Sequence, residues 1–271
     1  LRSDQKKINI IVATSGDTGA AAIDALKGKS NLNVFVLHPN NKISTVQRKL
    51  MTIHDDGNVF NIAIQGNFDD CQNLVKAMFN DEKFSKTINM SGVNSINWAR
   101  IIAQAVYYFY AYFKVGNGQP LSFCVPTGNF GDIYAGYLAK KLGLPINKLI
   151  VATNKNDILH RAILGGDYTQ KKVEETNTPS MDIQIASNFE RLLYDVKDCN
   201  SEVTKDVMSK IKNNTYKIDK NDLNKIKMNF TSEMLDENET VEMIKTINNE
   251  HQIVVDPHTA VGIGAARKLG L

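Results

Sequence analysis

The sequence predicts an α/β protein made of open, twisted parallel sheets covered by helices and divided into two domains. Three observations point there. Short apolar runs alternate with helix-like segments in β-α-β-α-β-α order over the first third of the chain. Those runs lack polar alternation, as strands buried on both faces do. The 271 residues are 42% hydrophobic and 23% charged, which is globular composition at a length that suits two modest domains.

Ile8–Ala13 (INIIVA) reads as a first buried strand. A turn leads into an Ala-rich helix over Thr18–Lys27, closed by Gly28, a residue suited to a helix C-terminus. Val34–Leu37 is a second strand, Ser44 caps a helix to about Ile53, Val59–Ile64 is a third strand and Asp69–Phe79 a third helix. A smaller domain over 1–92 carries these elements. A larger domain, 93–271, opens on Trp98–Phe113, a helix apolar around most of its circumference and expected to be buried, its tyrosines at 107, 108, 110 and 112 packing in a core. Leu121–Val125 is a strand, Ile133–Leu142 a helix and Leu149–Thr153 a strand. From about 155 to 250 the chain reads as a polar, helical insertion. Ile253–Val255 is expected as a strand running into a helix with Pro257 in its first turn.

Composition narrows the function. A net charge of +3 is small for this length and argues against a nucleic-acid partner. Cys71, Cys124 and Cys199 stand far apart, with no CxxC or Cys/His cluster, so neither a disulfide framework nor a metal site is expected. A reducing, cytoplasmic compartment fits. The longest apolar run, Ile101–Phe113, is broken by Gln104 and too short to span a bilayer. No signal peptide is evident, and the chain, opening on Leu1, reads as cut from something longer at both ends.

Two stretches carry chemistry. Ala13-Thr14-Ser15-Gly16-Asp17-Thr18-Gly19 lies where a strand gives way to a helix. Unpaired N–H groups and the helix dipole attract anions there, small residues admit a close ligand, and Ser15 and Thr18 add hydroxyls; simple helix capping is the alternative. Pro126-Thr127-Gly128-Asn129-Phe130-Gly131-Asp132 repeats the arrangement after another strand, and its N–H groups suit a phosphate; a tight turn is the alternative. Neither matches GxGxxG or GxxxxGK[ST], and Asn40 and Asn41 follow the second strand where a dinucleotide site wants an acid. In open parallel sheets, two such turns can face one crevice at the carboxyl ends of the strands. His160 and His258 lack metal-ligand spacing and read as structural, while Asn154 and Asn156 follow a strand and could reach the crevice.

ATSGDTG at 13–19, VNSINWARI at 93–101, PTGNFGDI at 126–133, ATNKNDILHR at 152–161, SMDIQIASNFERLLYD at 180–195 and VDPHTAVG at 255–262 together resemble the threonine synthase family, in the branch with a long helical insertion. The resemblance runs in the family's order over nearly the whole chain. It implies pyridoxal 5'-phosphate fold type II and conversion of O-phospho-L-homoserine and water to L-threonine and phosphate, by a carbon–oxygen lyase acting on phosphates. It implies that Gly128, Asn129, Phe130, Gly131 and Asp132 cradle the cofactor phosphate, and that Ser15, Gly16, Asp17 and Thr18 grip the substrate carboxylate. Asp17 stands where related enzymes of the fold group carry an Asn that contacts the ring oxygen. Ser95, Asn97 and Arg100 are candidates for the leaving phosphate, Arg through its bidentate fork. The Schiff-base lysine of the family lies in an F-K-D-like motif upstream of TSGDTG, which this chain lacks. No catalytic residue is therefore assigned within it, and the chain alone is expected to be inactive. A phospholyase-like relative and a non-catalytic anion-binding module are the alternatives.

Overall fold

The computed structural model describes residues 7–14, 16–93, 97–214 and 216–271, with Asp69 described in its backbone only. The chain divides into two compact units, Leu1–Asn97 and Trp98–Leu271.

In the first unit the order is β1 (Ile8–Ala13), α1 (Asp17–Leu26), β2 (Leu32–Pro39), α2 (Thr45–Thr52), β3 (Val59–Ile64), α3 (Phe68–Asn80), α4 (Glu82–Thr87) and β4 (Met90–Gly92). The strands form one parallel sheet ordered β3-β2-β1-β4, with Ile10 opposite Val34 and Val34 opposite Val59. Side chains alternate along the strands, so each face has its own core. Val34 and Val36 pack with Ile23 of α1 and Met51 of α2, while Ile11, Ala13 and Leu37 pack with Cys71 and Val75 of α3. Ser44 accepts from the Gln47 N–H to cap α2, as its position predicts. Past α1, Gly28 sits at φ +69°, the left-handed geometry that ends a helix. The sequence reading did not anticipate α4 and the three-residue β4.

The second unit runs α5 (Trp98–Val115), β5 (Leu121–Pro126), α6 (Gly131–Lys141), β6 (Ile146–Thr153), α7 (Ile158–Gly165), a 3-10 turn at Pro179–Met181, α8 (Phe189–Val196), α9 (Ser201–Lys212), α10 (Lys220–Asn229), β7 (Phe230–Met234), α11 (Glu237–His251) and α12 (Pro257–Lys268). A parallel sheet ordered β5-β6-β7 lies at its centre. One face packs the large core that includes Ile133, Val151, Ile158, Phe189 and Phe230. The other packs Ala152, Met181, Leu235 and, from α12, Val261 and Ala265.

Three expectations need correction here. The stretch expected as a helical insertion contains a strand, β7, which joins the sheet beside β6. Its buried Phe230 and Ser232 face inward at strand spacing, a period too short to stand out among polar helices. Ile253–Val255 is not a strand, and Ile253 and Val254 are exposed. Third, α5 is buried along one stripe only, through Ile101, Ala105 and Tyr108, whereas Tyr107 and Tyr110 are exposed and Tyr112 half-buried. The tyrosine cluster is thus not a common core, because neighbouring positions on a helix point to different sides.

Candidate functional site

β5 ends at Pro126, and α6 begins at Gly131. The loop between them is fixed at its start by Thr127, whose N–H donates to the Ala152 carbonyl of β6 at 2.8 Å and whose hydroxyl donates to the Val125 carbonyl at 2.6 Å. At its end Phe130 takes the left-handed conformation (φ 65°, ψ 7°), unusual for a bulky side chain. Its ring is buried edge-on to Phe189 at 5.2 Å and near Phe230 at 5.7 Å. The aromatic anchor thus holds a backbone turn that the residue would otherwise avoid. A Cβ on Gly128 would lie 2.2 Å from the Ser180 carbonyl oxygen, so only glycine fits.

The first helical hydrogen bond of α6 runs from the Tyr134 N–H to the Phe130 carbonyl. Ahead of it, six consecutive N–H groups, Gly128 to Ile133, donate to no acceptor among the described residues. Such a run at the positive end of a helix can cradle a phosphate.

The outer wall of the loop is a segment from α7 to α8. Asn129's carbonyl accepts from the Asn188 backbone N–H at 3.0 Å and its side-chain amide at 3.1 Å, and Asn129 Oδ1 lies 3.4 Å from the Ser187 N–H. Asn188 in turn accepts from Arg191 Nε at 3.1 Å, and the Arg191 guanidinium lies 5.2 Å from the centre of the Trp98 ring. His258 Nε2 accepts from the Ser180 N–H at 3.3 Å while its Nδ1 faces Asp256 Oδ1 at 3.2 Å. His160 Nδ1 lies 3.2 Å from the Ser232 hydroxyl, and burial lowers its tendency to protonate. The structural reading of both histidines agrees with these contacts.

Asp132, in the first turn of α6, receives the Tyr108 hydroxyl at 3.0 Å. Desolvation pushes its carboxyl above the usual carboxylate range although the residue as a whole is exposed, and the Tyr108 bond opposes that rise. Burial, and then the nearby Asp132 charge, drive the Tyr108 hydroxyl well above the usual phenol range, so the proton stays on the tyrosine. The Asp132 side chain is therefore engaged with α5, and what it offers the loop is its N–H.

In the first unit, the turn after β1 is organised by a residue that the sequence reading did not single out. The buried Thr14 hydroxyl accepts from the N–H groups of Gly16 and Gly19, both at 2.9 Å. Gly16 adopts φ +141°, and a Cβ there would collide with Gln47 at 2.4 Å. Asp17 accepts from Gln47 Nε2 at 2.7 Å. The Gly16 N–H is thus taken up within the turn, and the Thr18 N–H donates to no acceptor among the described residues. Ser15 and Ser95 lie outside the described residues. Asn97 donates to the Gly92 carbonyl at 3.3 Å, and burial lowers the Arg100 guanidinium below its ordinary range. Among the described residues no cluster of His, Cys, Asp and Glu could hold a metal ion, and no helix is long and apolar enough to cross a membrane.

The family model described as pyridoxal-phosphate dependent enzyme matches residues 1–271. The chain is similar to the threonine synthase of Saccharomyces cerevisiae, at 46% identity over 98% of this chain and 55% of that protein. It is 45% identical to the threonine synthase of Pseudomonas aeruginosa, over 97% of this chain and 56% of that one. A crystal structure of threonine synthase with bound pyridoxal phosphate, from Brucella melitensis, superposes with a TM-score of 0.88 at 47% identity, covering 97% of this chain and 57% of that chain. The chain therefore spans about half the length of the relatives that it matches.

Proposed function

Since this chain belongs to the family of pyridoxal-phosphate dependent enzymes, we propose that it is the cofactor-phosphate and substrate-binding part of a threonine synthase. The whole protein would convert O-phospho-L-homoserine and water to L-threonine and phosphate. One observation carries the reading at the level of residues: the run of six N–H groups from Gly128 to Ile133, without acceptors among the described residues, at the start of α6.

That loop fits a phosphate monoester. Gly128, Asn129, Gly131 and Asp132 would hold it through their N–H groups, Phe130 would keep the loop in shape from the core, and the dipole of α6 would favour the charge. The bound cofactor supplies an electron sink, while the protein supplies orientation and electrostatics. In the net reaction the carbon–oxygen bond to the substrate phosphate breaks, the neighbouring carbon gives up a proton and takes the hydroxyl of water, the carbon that lost phosphate gains a proton, and the remaining proton leaves with the phosphate. The chain's own task is to hold two further anions. Ser15, Gly16, Asp17 and Thr18 would receive the substrate carboxylate, Gly16 by letting the turn pack closely on Gln47 and Thr18 through its N–H. Ser95, Asn97 and Arg100 would receive the leaving phosphate. Arg100 keeps its charge at neutral pH because its ordinary range lies so far above it. The reading assigns the protein to the cytoplasm, with small-molecule partners only, and its three cysteines are all free.

Product analysis of the whole protein to which this chain belongs, with cofactor, tests this. Equal amounts of threonine and phosphate are expected from O-phospho-L-homoserine. Phosphate accompanied by 2-oxobutyrate in place of threonine would overturn the synthase assignment in favour of a phospholyase.

A further inference from the structure

Between α7 and α8 the chain crosses β6's carboxyl end as a strap, and a buried polar cluster fastens it there. Asp182 sits at the centre. Its Oδ1 accepts from Asn154 Nδ2 at 2.8 Å, Asn156 Nδ2 at 2.9 Å and the Thr176 hydroxyl at 2.7 Å. Its Oδ2 accepts from the Thr176 N–H at 2.9 Å. Asn156 also pairs with Glu174, donating to its carbonyl and accepting from its N–H, both at 2.9 Å. Asn154 reaches the Thr178 hydroxyl at 2.8 Å. Asn154, Asn156 and Thr178 are all buried. Lys155, whose charge feels the Asp182 carboxylate, forms its ion pair with Glu174 instead, and every hydrogen bond to that carboxylate among the described residues comes from a neutral donor.

Two residues before Asp182 is Ser180, whose carbonyl fills the space beside Gly128. Six residues after it is Asn188, which binds the Asn129 carbonyl. We propose that Asp182 is a positioning residue of the phosphate cradle, its carboxylate fastening the strap to Asn154 and Asn156 so that Ser180 and Asn188 press the Gly128–Gly131 loop into shape. This rests on the reading of that loop as the cofactor-phosphate site. The chemistry requires a carboxylate. Every partner of Asp182 donates, and a carboxylate only accepts. An asparagine at 182, in either amide orientation, sets its NH2 against another donor and leaves a buried hydrogen bond unmade.

The test compares the affinity of the full chain for pyridoxal 5'-phosphate with its affinity for phosphate-free pyridoxal, read by fluorescence titration. The ratio is the phosphate selectivity. Asp182→Asn is expected to lower it by about tenfold to a hundredfold, with pyridoxal binding unchanged. Adding Asn154→Asp to that variant returns an acceptor to the cluster and is expected to restore part of the loss. Gly128→Ala gauges the cradle itself. If it leaves the selectivity intact, the cradle reading fails. If Gly128→Ala lowers the selectivity while Asp182→Asn lowers only the melting temperature, the cradle stands and the role of Asp182 is overturned. Should Asp182→Asn not fold, as judged by circular dichroism, Thr176→Val removes one bond to the same carboxylate. A smaller fall in selectivity is then expected, and an unchanged value overturns the proposal.

Discussion

Phe130 joins backbone strain to core packing in one residue. Its left-handed φ costs on the order of 1–3 kcal/mol for a non-glycine residue, a cost offset by a ring enclosed by Phe189 and Phe230. Phe130→Ala keeps the strain and opens a cavity. A stability loss of roughly 3–5 kcal/mol is expected, together with weaker phosphate binding, measurable by denaturant unfolding and by titration with pyridoxal 5'-phosphate. Phe130→Gly relieves the backbone and is expected to cost less than Phe130→Ala in spite of its smaller size. The family resemblance placed Phe130 in the cradle, and the structure assigns the ring to the core. At this scale sequence reasoning reaches residues whose type speaks for itself, such as the glycines that flank the Asn129–Phe130 pair. It does not reach Thr14, Asp182 or Asn188, because a threonine hydroxyl or an asparagine amide acquires its meaning only from the partners that the fold supplies.

Elements were legible where hydrophobic period and caps agreed. β1, α1, α2, β3 and β6 follow the sequence reading to within a few residues because apolar runs ended at capping or turn residues. The agreement failed at β7, whose five residues bury only alternate side chains, and at Ile253–Val255, where β-branched residues meet no partner strand. The helical stretch ahead of β7 is bound by charge pairs that define an acid limit. Asp219 caps α10 by accepting the Asp222 N–H and also pairs with Lys197 at 2.9 Å, which together hold its carboxyl down at about 2. Asp167 is held at about 2 by hydrogen bonds from Thr169 and by Arg161. Both folded-state values lie below the unfolded value of about 3.9. Their stabilisation is therefore complete above about pH 4 and is lost as pH falls towards 2. Both groups are solvent-facing, so the effect is modest. A melting temperature that falls between pH 4 and 2, by less in Asp219→Asn, is the expected result of thermal unfolding across that range.

For the molecule as a whole, the alternating order of strands and helices was sufficient to read parallel sheets, since that order leaves few other ways to bury strands on both faces. The reading went wrong on α5 because a helix that is apolar all round predicts burial without saying whether the chain in hand can supply it. Trp98, Ile102, Val106, Tyr110 and Phe113 follow one another at steps of three or four residues and are 43–78% exposed. A stripe of this kind is large for a soluble surface. The 271-residue chain on its own is expected to bind an apolar dye, and Val106→Lys with Phe113→Lys to abolish most of that fluorescence while leaving the melting temperature within a degree or two.

The ring under the glycine loop has one more consequence. An anion receptor built on a surface loop can loosen while its scaffold stays intact, but this one is wired by Phe130 into the largest core of its unit. Release of a bound phosphate ester on warming should therefore track the loss of near-ultraviolet ellipticity in a single sigmoid. There would be no temperature window in which the body persists, empty and still ordered.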